Sequence, residues 1–438
     1  MITALIGKTF LKAYNEKYKK EYSAKAFFEK EYFELFFNHP KYMQWITNSP
    51  FVQMKAGQKP DKLSVKERLE KLQNLYFKVE QEVPDASFAI GFPASEAKEF
   101  ASTSGLVSDV LIETEQEDIY YSWLGAGLGI GVAGGYNLLI NDAAITLETF
   151  EGWKIYRKYL NDPVLEKLRG NQINSWNGQW LTYKLGKRYD KNFDFATLED
   201  EKIFKVDTSL AEVNTVNWSN LFFSLSNFYS EKTLNAYVYS FGQTNKTIGF
   251  IPIYLKSGKK LKEVFIQLFD TDLPFNNKDF QSLFGMHIKR ACELGNIGLH
   301  ALRPDNLKKY MEEDKNLSFK KEEDNHIYQS YKTWLIAMLS KNKEEITDYT
   351  IELARLIQRY RSGAKGTDRK NLIEKDLLGA KGKKGFIEAL AEMLPDIENS
   401  DSEQLKKLKD EVHLMTNEEF SYFNTLLKFD YAFVEKQS

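Results

Sequence analysis

Cysteine is almost absent from this sequence, because Cys292 is the single cysteine among 438 residues. One thiol excludes a disulfide within the chain, and it excludes a metal site built from several thiolates of the same chain. The first twenty residues also lack an apolar segment long enough for a secretory signal. We therefore expect a cytoplasmic protein that does not depend on disulfides for its stability.

Residues that commonly perform catalysis are scarce as well. The five histidines are scattered, no two of them have the H-x-x-x-H spacing of a metal site, and no G-x-S-x-G motif occurs. Cys292 follows Ala291 in an expected helix, where a buried, inert thiol is the ordinary situation. We expect no catalytic residue, no metal and no cofactor.

Acidic residues leave one alternative open. Asp270 and Asp272, with Asp279 nearby, could hold a divalent ion for nuclease chemistry, although acidic turns of this kind are common on protein surfaces. Carboxylates that are distant in the sequence can also converge in a fold. The alternative is therefore a metal-dependent nuclease or a nucleotide-using enzyme.

Neither sign of charge dominates, since 60 basic residues face 62 acidic ones and the formal net charge is -2. A polyanionic partner would therefore have to bind at a local basic patch rather than to the surface as a whole. The apolar share of 42% and the aromatic share of 14% are those of a folded chain with large cores. This length predicts two or three domains.

The most unusual segment is a glycine-rich run at residues 124–142, LGAGLGIGVAGGYNLLIND. Gly129, Gly131 and Gly134 match the G-x-G-x-x-G spacing of a phosphate-binding turn, but that motif requires a helix immediately afterwards. Residues 136–142 instead predict a short strand and a turn. No Lys-Ser or Lys-Thr pair follows, so a P-loop is excluded.

Two other interpretations of the same run remain. The 23 uncharged residues from Ile119 to Asn141 are long enough to span a bilayer, although six glycines and acidic flanks are unfavourable for insertion. Alternatively, the run is a buried segment in which glycines let two backbones, or a backbone and a ligand, come into contact. We favour the buried segment.

Hydrophobic periodicity divides the chain into four parts. Residues 1–87 predict an N-terminal helical region, and residues 88–307 predict a mixed α/β body. Residues 308–325 predict a charged linker, and residues 326–438 predict a C-terminal all-helical bundle of five amphipathic segments. The fold class expected from this division is α+β.

Several short runs in the body predict strands. These runs are residues 107–112, 138–140, 236–241, 248–255 and 264–269. The basic stretch 256–262 between the last two predicts a hairpin tip, and residues 143–160 predict an amphipathic helix. In the helical region, Ser64 and Glu67 have the spacing of a capping box at a helix start.

An amide-rich segment, NQINSWNGQW at residues 171–180, follows the glycine run. Its amides could hydrogen-bond to base edges, and its tryptophans could stack on bases. Equally, the Asn-Gly pair could form a turn, the tryptophans could be core residues and the amides could bind backbone groups. Both interpretations stay open. Three cations follow the segment: Lys184, Lys187 and Arg188.

A basic connection at residues 355–384 lies within the predicted bundle. It holds ten basic residues against three acidic ones. Its glycines would make it flexible enough to follow a phosphate backbone. A solvated loop without a partner is the alternative.

This layout resembles the large subunit of a type I CRISPR surveillance complex (Cascade) of the type I-B and I-A kinds. The resemblance covers the α+β body with its glycine-rich run, the amide-rich segment and the helical bundle with its basic connection. It is carried most closely by residues 125–141 and 171–181. Some type I-B relatives have paired C-x-x-C zinc ligands, which this sequence lacks.

The resemblance implies a non-catalytic subunit of an RNA-guided defence complex, and the enzyme alternative would belong to another defence system. Such a subunit binds guide RNA and target double-stranded DNA, contacts the backbone and small subunits, recruits a helicase-nuclease and does not enter a membrane. Guide pairing would read the target, while the protein reads a short adjacent motif. The residues expected to read that motif are Gly134, Gly135, Asn137, Asn174, Asn177, Gly178 and Gln179. Those expected to bind the DNA backbone are Lys184, Lys187, Arg188, Arg361, Lys365, Arg369, Lys370, Lys381, Lys383 and Lys384.

Overall fold

The chain divides into two compact units, which are described separately. They are Met1–Leu255 with Ala291–Asn296, and Lys256–Arg290 with Ile297–Ser438. A computed structural model describes residues 1–46, 49–55, 57–81, 85–86, 93–94, 114–240, 246–269, 284, 288–304, 306–313, 315–317, 319–339, 343–363, 366–397 and 399–437. Helices and antiparallel sheets occur together, so the expected α+β class is confirmed.

The first unit combines helices with short sheets. Its helices are α1 (Ile2–Tyr18), α2 (Ala24–Phe27), α3 (Glu34–Phe36), α4 (Val65–Gln81), α5 (Gln116–Gly127), α6 (Ala143–Asn161), α7 (Ile173–Lys184), α8 (Phe195–Asp200) and α9 (Trp218–Tyr229). Its strands are β1 (Asp85–Ala86), β2 (Pro93–Ala94), β3 (Ile130–Val132), β4 (Tyr136–Ile140), β5 (Phe204–Val206), β6 (Ala211–Val213), β7 (Thr233–Ser240) and β8 (Lys246–Tyr254). A π-helical segment, Phe28–Phe33, joins α2 to α3.

Local signals account for the helix starts. Helix α4 begins with the expected capping box, since the backbone N–H of Ser64 donates to the Glu67 carboxylate at 2.8 Å and the Glu67 N–H donates to Ser64 Oγ at 3.3 Å. The carboxylate of Asp142 accepts hydrogen bonds from the first turn of α6. Helices α1 to α4 lie within the predicted N-terminal helical region, and the prediction of an amphipathic helix near residues 143–160 is confirmed.

An aromatic core holds these helices together. Trp123 and Trp153 are fully buried, and the ring of Phe36 meets that of Trp153 edge to face at 4.7 Å. Helices α1 and α5 cross at very short range, because a Cβ atom on Gly125 would lie 1.9 Å from the carbonyl oxygen of Thr3. Only glycine permits that approach.

The central sheet is antiparallel, with strand order β3-β4-β7-β8. Strands β4, β7 and β8 confirm the predictions for residues 138–140, 236–241 and 248–255. The prediction for residues 107–112 lies outside the described residues.

One prediction in this region is wrong. Residues 256–262 and 264–269 do not form a hairpin tip and a strand, because both belong to a single helix, α10 (Lys256–Phe269). Leu261, Val264 and Phe265 are buried. Their spacing of three and four residues is that of one helical face.

The second unit is helical. Besides α10, the helices are α11 (Ile288–Leu294, which straddles the boundary between the units), α12 (Leu307–Glu312), α13 (Glu322–Leu339), α14 (Lys343–Arg361), α15 (Gly366–Asn371), α16 (Lys383–Met393), α17 (Asn399–Leu414) and α18 (Asn417–Gln437). A π-helical segment, Leu372–Leu377, follows α15. Five long helices beyond residue 321 confirm the predicted C-terminal helical bundle.

The bundle also contains a buried ion pair. Lys332 Nζ lies 2.6 Å from Asp430 Oδ1, and both side chains are almost completely buried. The Tyr328 hydroxyl donates to the same oxygen at 2.9 Å. A buried charge needs such partners because it has lost its hydration.

Each of the two units contains more than one of the four predicted parts of the chain. The first unit contains the predicted N-terminal helical region, 1–87, together with most of the predicted body, 88–307. The predicted linker, 308–325, and the predicted bundle, 326–438, belong to the second unit. Leu307 and Tyr310 of helix α12 are buried.

Candidate nucleic-acid interface

The glycine-rich run folds into the last turns of α5, strand β3, a tight turn and strand β4. Gly134 and Gly135 lie at the tip of this turn, between the paired residues Val132 and Tyr136. Both glycines have positive φ, 92° and 75°, and both are exposed. L-residues rarely adopt that backbone conformation, so the turn requires glycine or a close substitute.

The turn is fastened to the segment that precedes α9. The N–H of Ala133 donates to the carbonyl oxygen of Val216 at 2.9 Å, and the indole of Trp218 donates to the carbonyl oxygen of Ala133 at 3.0 Å. The rings of Tyr136 and Trp218 are 6.2 Å apart. The tip is therefore an exposed turn of two glycines whose base is held by hydrogen bonds to Val216 and Trp218.

These positions decide between the three interpretations of the run. Strand β4, not a helix, follows Gly134, so the phosphate-binding turn is not formed. Among the described helices, none has the length and apolar character needed to cross a bilayer. The buried-segment interpretation is confirmed for residues 124–132, where a Cβ on Gly131 would lie 2.9 Å from the carbonyl carbon of Asn174, but not for the exposed Gly134 and Gly135.

The side-chain amide of Asn177 makes its hydrogen bonds to buried groups of the protein. Its Nδ2 donates to the carbonyl oxygens of Gly127 and Gly129, each at 2.8 Å, and its Oδ1 accepts from the indole of Trp153 at 3.1 Å. The side chain has no exposed surface. The prediction that Asn177 reads a base edge is therefore wrong, because the groups needed for readout are buried and already bonded.

The neighbours of Asn177 in α7 serve the same packing. Asn174 is partly exposed, and its Nδ2 donates to the carbonyl oxygen of Gly129 at 2.9 Å. A Cβ on Gly178 would lie 2.3 Å from the carbonyl oxygen of Gly131. Helix α7 thus packs backbone to backbone against β3, and Gly178 is a buried contact rather than a surface for DNA.

Asn137 and Gln179 also point to structural roles. Asn137 is buried on β4, and its Oδ1 accepts no hydrogen bond from the described residues. Gln179 is partly exposed, and its Nε2 donates to the carbonyl oxygen of Asn214 at 2.9 Å. The prediction of direct motif readout by Asn137 is corrected by this burial. Of the seven predicted readout residues, Gly134 and Gly135 are the ones that are exposed.

The three cations that follow the amide-rich segment lie at and beyond the end of α7. The ammonium of Lys184 sits 4.1 Å from the centre of the Tyr189 ring, and Arg188 lies 3.3 Å from Glu201. Lys187 is exposed. Exposed pairs of this kind are weak and can be rearranged by a polyanion.

Three cations of the predicted DNA-backbone set stabilise the bundle itself. Arg361 pairs with Glu374 at 3.1 Å and with Glu435. Arg369 pairs with Asp396 at 3.1 Å, donates to the carbonyl oxygen of Tyr360 and lies over that ring. Lys383 Nζ donates to the carbonyl oxygen of Met415 at 2.7 Å, just beyond the end of α17. In this arrangement their donors are directed at the protein rather than at a strand.

Other lysines of the basic connection remain at the surface. Lys370, Lys375 and Lys381 are exposed, and in the described part of the chain none of them is in an ion pair. Lys384 is also exposed and lies 3.7 Å from Glu388. Lys365 lies outside the described residues. Lys375, which was not among the predicted contacts, joins this set through its exposure.

The sequence offers one cysteine and several carboxylates as groups that could be reactive or could bind a metal. Cys292 lies in α11 as expected, but it is exposed rather than buried. Desolvation, and then the charge of Glu293, raise the pKa of its thiol, which disfavours the reactive thiolate. No three His, Cys, Asp or Glu side chains of the described residues are grouped so that they could hold a metal ion. Asp270, Asp272 and Asp279 lie outside those residues.

Comparison with family models, with curated proteins and with solved structures returns no match for this chain. The resemblance to the large subunit of a type I CRISPR complex stays a prediction.

Proposed function

We propose that this chain is the non-catalytic DNA-recognition large subunit of an RNA-guided type I CRISPR effector complex. In this role it would act beside guide RNA, target double-stranded DNA, the backbone and small subunits and a recruited helicase-nuclease. The hairpin tip at Gly134 and Gly135 would approach the motif beside the target. The exposed lysines of the second unit would hold a DNA strand.

The observation that carries the proposal is the hairpin tip. A turn without side chains brings backbone N–H and C=O groups within reach of a groove, where a bulky residue would collide with the DNA. The tip keeps its shape before binding, because Val216, Trp218 and the amides of Asn174 and Asn177 fix its base. Preorganisation of this kind reduces the entropy lost on binding.

The exposed lysines supply a sequence-independent contribution. Phosphate contacts position a protein on nucleic acid and make its affinity depend on salt. Lys370, Lys375 and Lys381 have ammonium groups that are not committed to carboxylates of the described residues, so they can replace counterions on a strand. Arg361, Arg369 and Lys383 are not assigned this role, because their donors hold the bundle.

The hairpin tip can be tested by placing a carboxylate on it. Gly135→Asp tolerates positive φ better than most substitutions, and it directs a negative charge at the DNA. Gly57→Asp is the matched control, since Gly57 is an exposed glycine of the same unit with φ 81° and open space around it. We expect the assembled complex with Gly135→Asp to bind target duplex at least about tenfold more weakly, which corresponds to about 1.4 kcal/mol.

Binding of a complementary single strand, which needs no adjacent motif, should be changed much less. Duplex binding that is equal for the two aspartate variants would refute the assignment of the tip.

The lysines need a separate measurement. The test variant has glutamine in place of all three lysines, Lys370, Lys375 and Lys381. Its affinity should fall less steeply with salt, so that the negative slope of log K against log salt becomes smaller in magnitude by about 2 to 3. A matched control replaces Lys406, Lys407 and Lys409, which are exposed lysines of the same unit that each lie near a carboxylate. An unchanged slope in the first triple variant would contradict the assignment of these lysines and leave that of the tip intact.

A further inference from the structure

Two arginines of the first unit are buried, and one of them, Arg157, is hydrogen-bonded to the loop that follows α3. Arg157 on α6 is 6% exposed and Arg68 on α4 is 7% exposed. A buried guanidinium is normally paired with a carboxylate, because its charge is costly to remove from water. Neither arginine pairs with a carboxylate of the described residues.

Arg157 is only partly satisfied by backbone groups. Its Nε donates to the carbonyl oxygen of Leu35 at 2.7 Å, and its Nη2 donates to the same oxygen and, at 3.1 Å, to that of Lys41. Its Nη1 is buried and has no hydrogen-bond partner among the described residues. Burial lowers the pKa of Arg157 to about 9, which leaves it charged at neutral pH.

Arg68 repeats this situation on another helix. Its Nε is buried, and so is the hydroxyl of Tyr42, and neither has a hydrogen-bond partner in the described part of the chain. Burial raises the pKa of Tyr42 to about 12, while the charge of Arg68 acts in the opposite direction. The loop that holds Tyr42 is therefore within electrostatic reach of Arg68.

His39 lies beside Arg157, because the carbonyl oxygen of Lys41 accepts a hydrogen bond from Arg157 and the N–H of the same lysine donates one to the His39 ring. Burial first, and then the charges of Arg157, Arg68 and Lys41, lower the pKa of His39 to about 4. The charges that lower this pKa belong to cations. The backbone N–H of Lys41 donates to His39 Nδ1 at 3.0 Å, so the neutral ring carries its hydrogen on Nε2. His39 is thus a further donor in the same neighbourhood, and it is partly exposed.

We propose that Arg157, Arg68 and His39 form a binding site for a phosphate group. Two positive charges without carboxylate partners among the described residues match a dianion, and donors from α4, α6 and the loop that follows α3 can surround a tetrahedral oxyanion. The arginines are buried while His39 is partly exposed, so the phosphate enters on the His39 side. A phosphodiester within a strand cannot enter so buried a site, because it continues on both sides. The ligand is therefore inorganic phosphate or the terminal phosphate of a nucleotide or oligonucleotide.

The site does not depend on the proposed DNA recognition, because none of its residues belongs to the hairpin tip or to the basic connection. It would remain if the chain had another function, and its test needs the full-length chain alone.

The experiment is thermal unfolding of the full-length protein in phosphate and in chloride at equal ionic strength. Phosphate bound to the folded state should raise Tm by about 1.5 to 3 °C for each tenfold increase in phosphate concentration above its Kd. Arg68→Gln and His39→Ala should lose most of this shift. Lys158→Gln is the matched control, because it removes one positive charge from an exposed residue next to Arg157 and should keep the shift.

A second measurement protects the test against variants that fold poorly. Titration of inorganic phosphate by calorimetry at 20 °C should give saturable binding to the wild type and to Lys158→Gln, and at least tenfold weaker binding to Arg68→Gln. No saturable binding to the wild type, or an equal Tm shift in the wild type and Arg68→Gln, would overturn the proposal.

Oligonucleotides distinguish the two sources of phosphate. Competition by a 5′-phosphorylated oligonucleotide, but not by its 5′-hydroxyl form, at concentrations below the Kd of inorganic phosphate would identify a nucleic-acid end. Competition that is no better than that of free phosphate would identify the ion itself.

Discussion

The indole Nε1 of Trp153 donates a hydrogen bond of 3.1 Å to Oδ1 of Asn177, and both side chains are completely buried. This bond joins α6 to α7. Through its other end, the same amide joins α7 to the carbonyl oxygens of Gly127 and Gly129. One side chain therefore connects the aromatic core of the first unit to the base of the glycine hairpin.

The first prediction concerns the removal of this amide. Asn177→Ala leaves the carbonyl oxygen of Gly127 and the indole N–H of Trp153 without this partner and removes one of the two donors to the carbonyl oxygen of Gly129, so we expect a loss of about 2 to 4 kcal/mol in the free energy of unfolding. Asn174→Ala should cost about 1 kcal/mol, because Asn174 is partly exposed and water can replace its bond. Urea unfolding followed by tryptophan fluorescence measures both. Equal losses would show that burial does not set the cost.

The roles of these amides mark a limit of sequence interpretation. An asparagine has the same donors and acceptor whether it meets a base edge or a backbone carbonyl, so the string NQINSWNGQW permitted both interpretations. What decides between them is the approach of α7 to β3, a contact between segments some 45 residues apart. Likewise, Trp218 could not be connected with the glycine turn from its place in the sequence.

Features that depend on neighbouring residues are predicted more reliably from the sequence than contacts between distant segments. The capping box at Ser64 and Glu67, and the strand after Gly134, depend on neighbouring residues and were predicted correctly. The prediction of a strand at Val264–Phe269 is wrong, because these residues belong to helix α10. Six mostly apolar residues fit a strand and a buried helix equally well. The sequence shows that the basic connection is rich in cations, but it cannot show which of them are bonded within the bundle. Arg369 pairs with Asp396, whereas the adjacent Lys370 is exposed.

The crossing of α1 and α5 gives the second prediction. A Cβ on Gly7 would lie 2.0 Å from the carbonyl oxygen of Tyr121, and one on Gly125 would lie 1.9 Å from that of Thr3. Because backbone cannot yield as a side chain can, Gly125→Ala should force the helices apart and destabilise the protein by more than about 3 kcal/mol.

Gly385→Ala is the control for this substitution. Gly385 lies in α16 with nothing within 4 Å of its added Cβ, so alanine should stabilise the protein by about 0.5 to 1 kcal/mol. Thermal unfolding of the two variants should therefore move Tm in opposite directions. A neutral Gly125→Ala would mean that the two helices are not in backbone contact.

The third prediction concerns the buried pair in the second unit. Lys332→Met leaves the carboxylate of Asp430 buried with the Tyr328 hydroxyl as its remaining donor, and we expect it to cost about 3 to 5 kcal/mol. The double variant Lys332→Met with Asp430→Leu removes both charges and should recover most of that loss. Lys384→Met breaks an exposed pair and should change stability by less than about 0.5 kcal/mol. If the double variant is no more stable than the single one, the penalty does not come from the uncompensated charge.

The last prediction is a pH dependence that arises from His39. Its pKa falls from 6.5 in the unfolded chain to about 4 in the folded protein, so the folded state favours the neutral ring. The resulting stability is fully present above pH 6.5 and is lost as the pH falls through the folded pKa near 4, because the unfolded chain takes up the proton first. Since the ring is partly exposed, the loss should be about 1 to 2 kcal/mol rather than the full value of the shift. Unfolding free energies of wild type and His39→Gln, measured in phosphate-free buffers from pH 7.5 to pH 4, should converge as the pH falls. Curves that remain parallel over this interval would show that the pKa of His39 is not lowered in the folded protein.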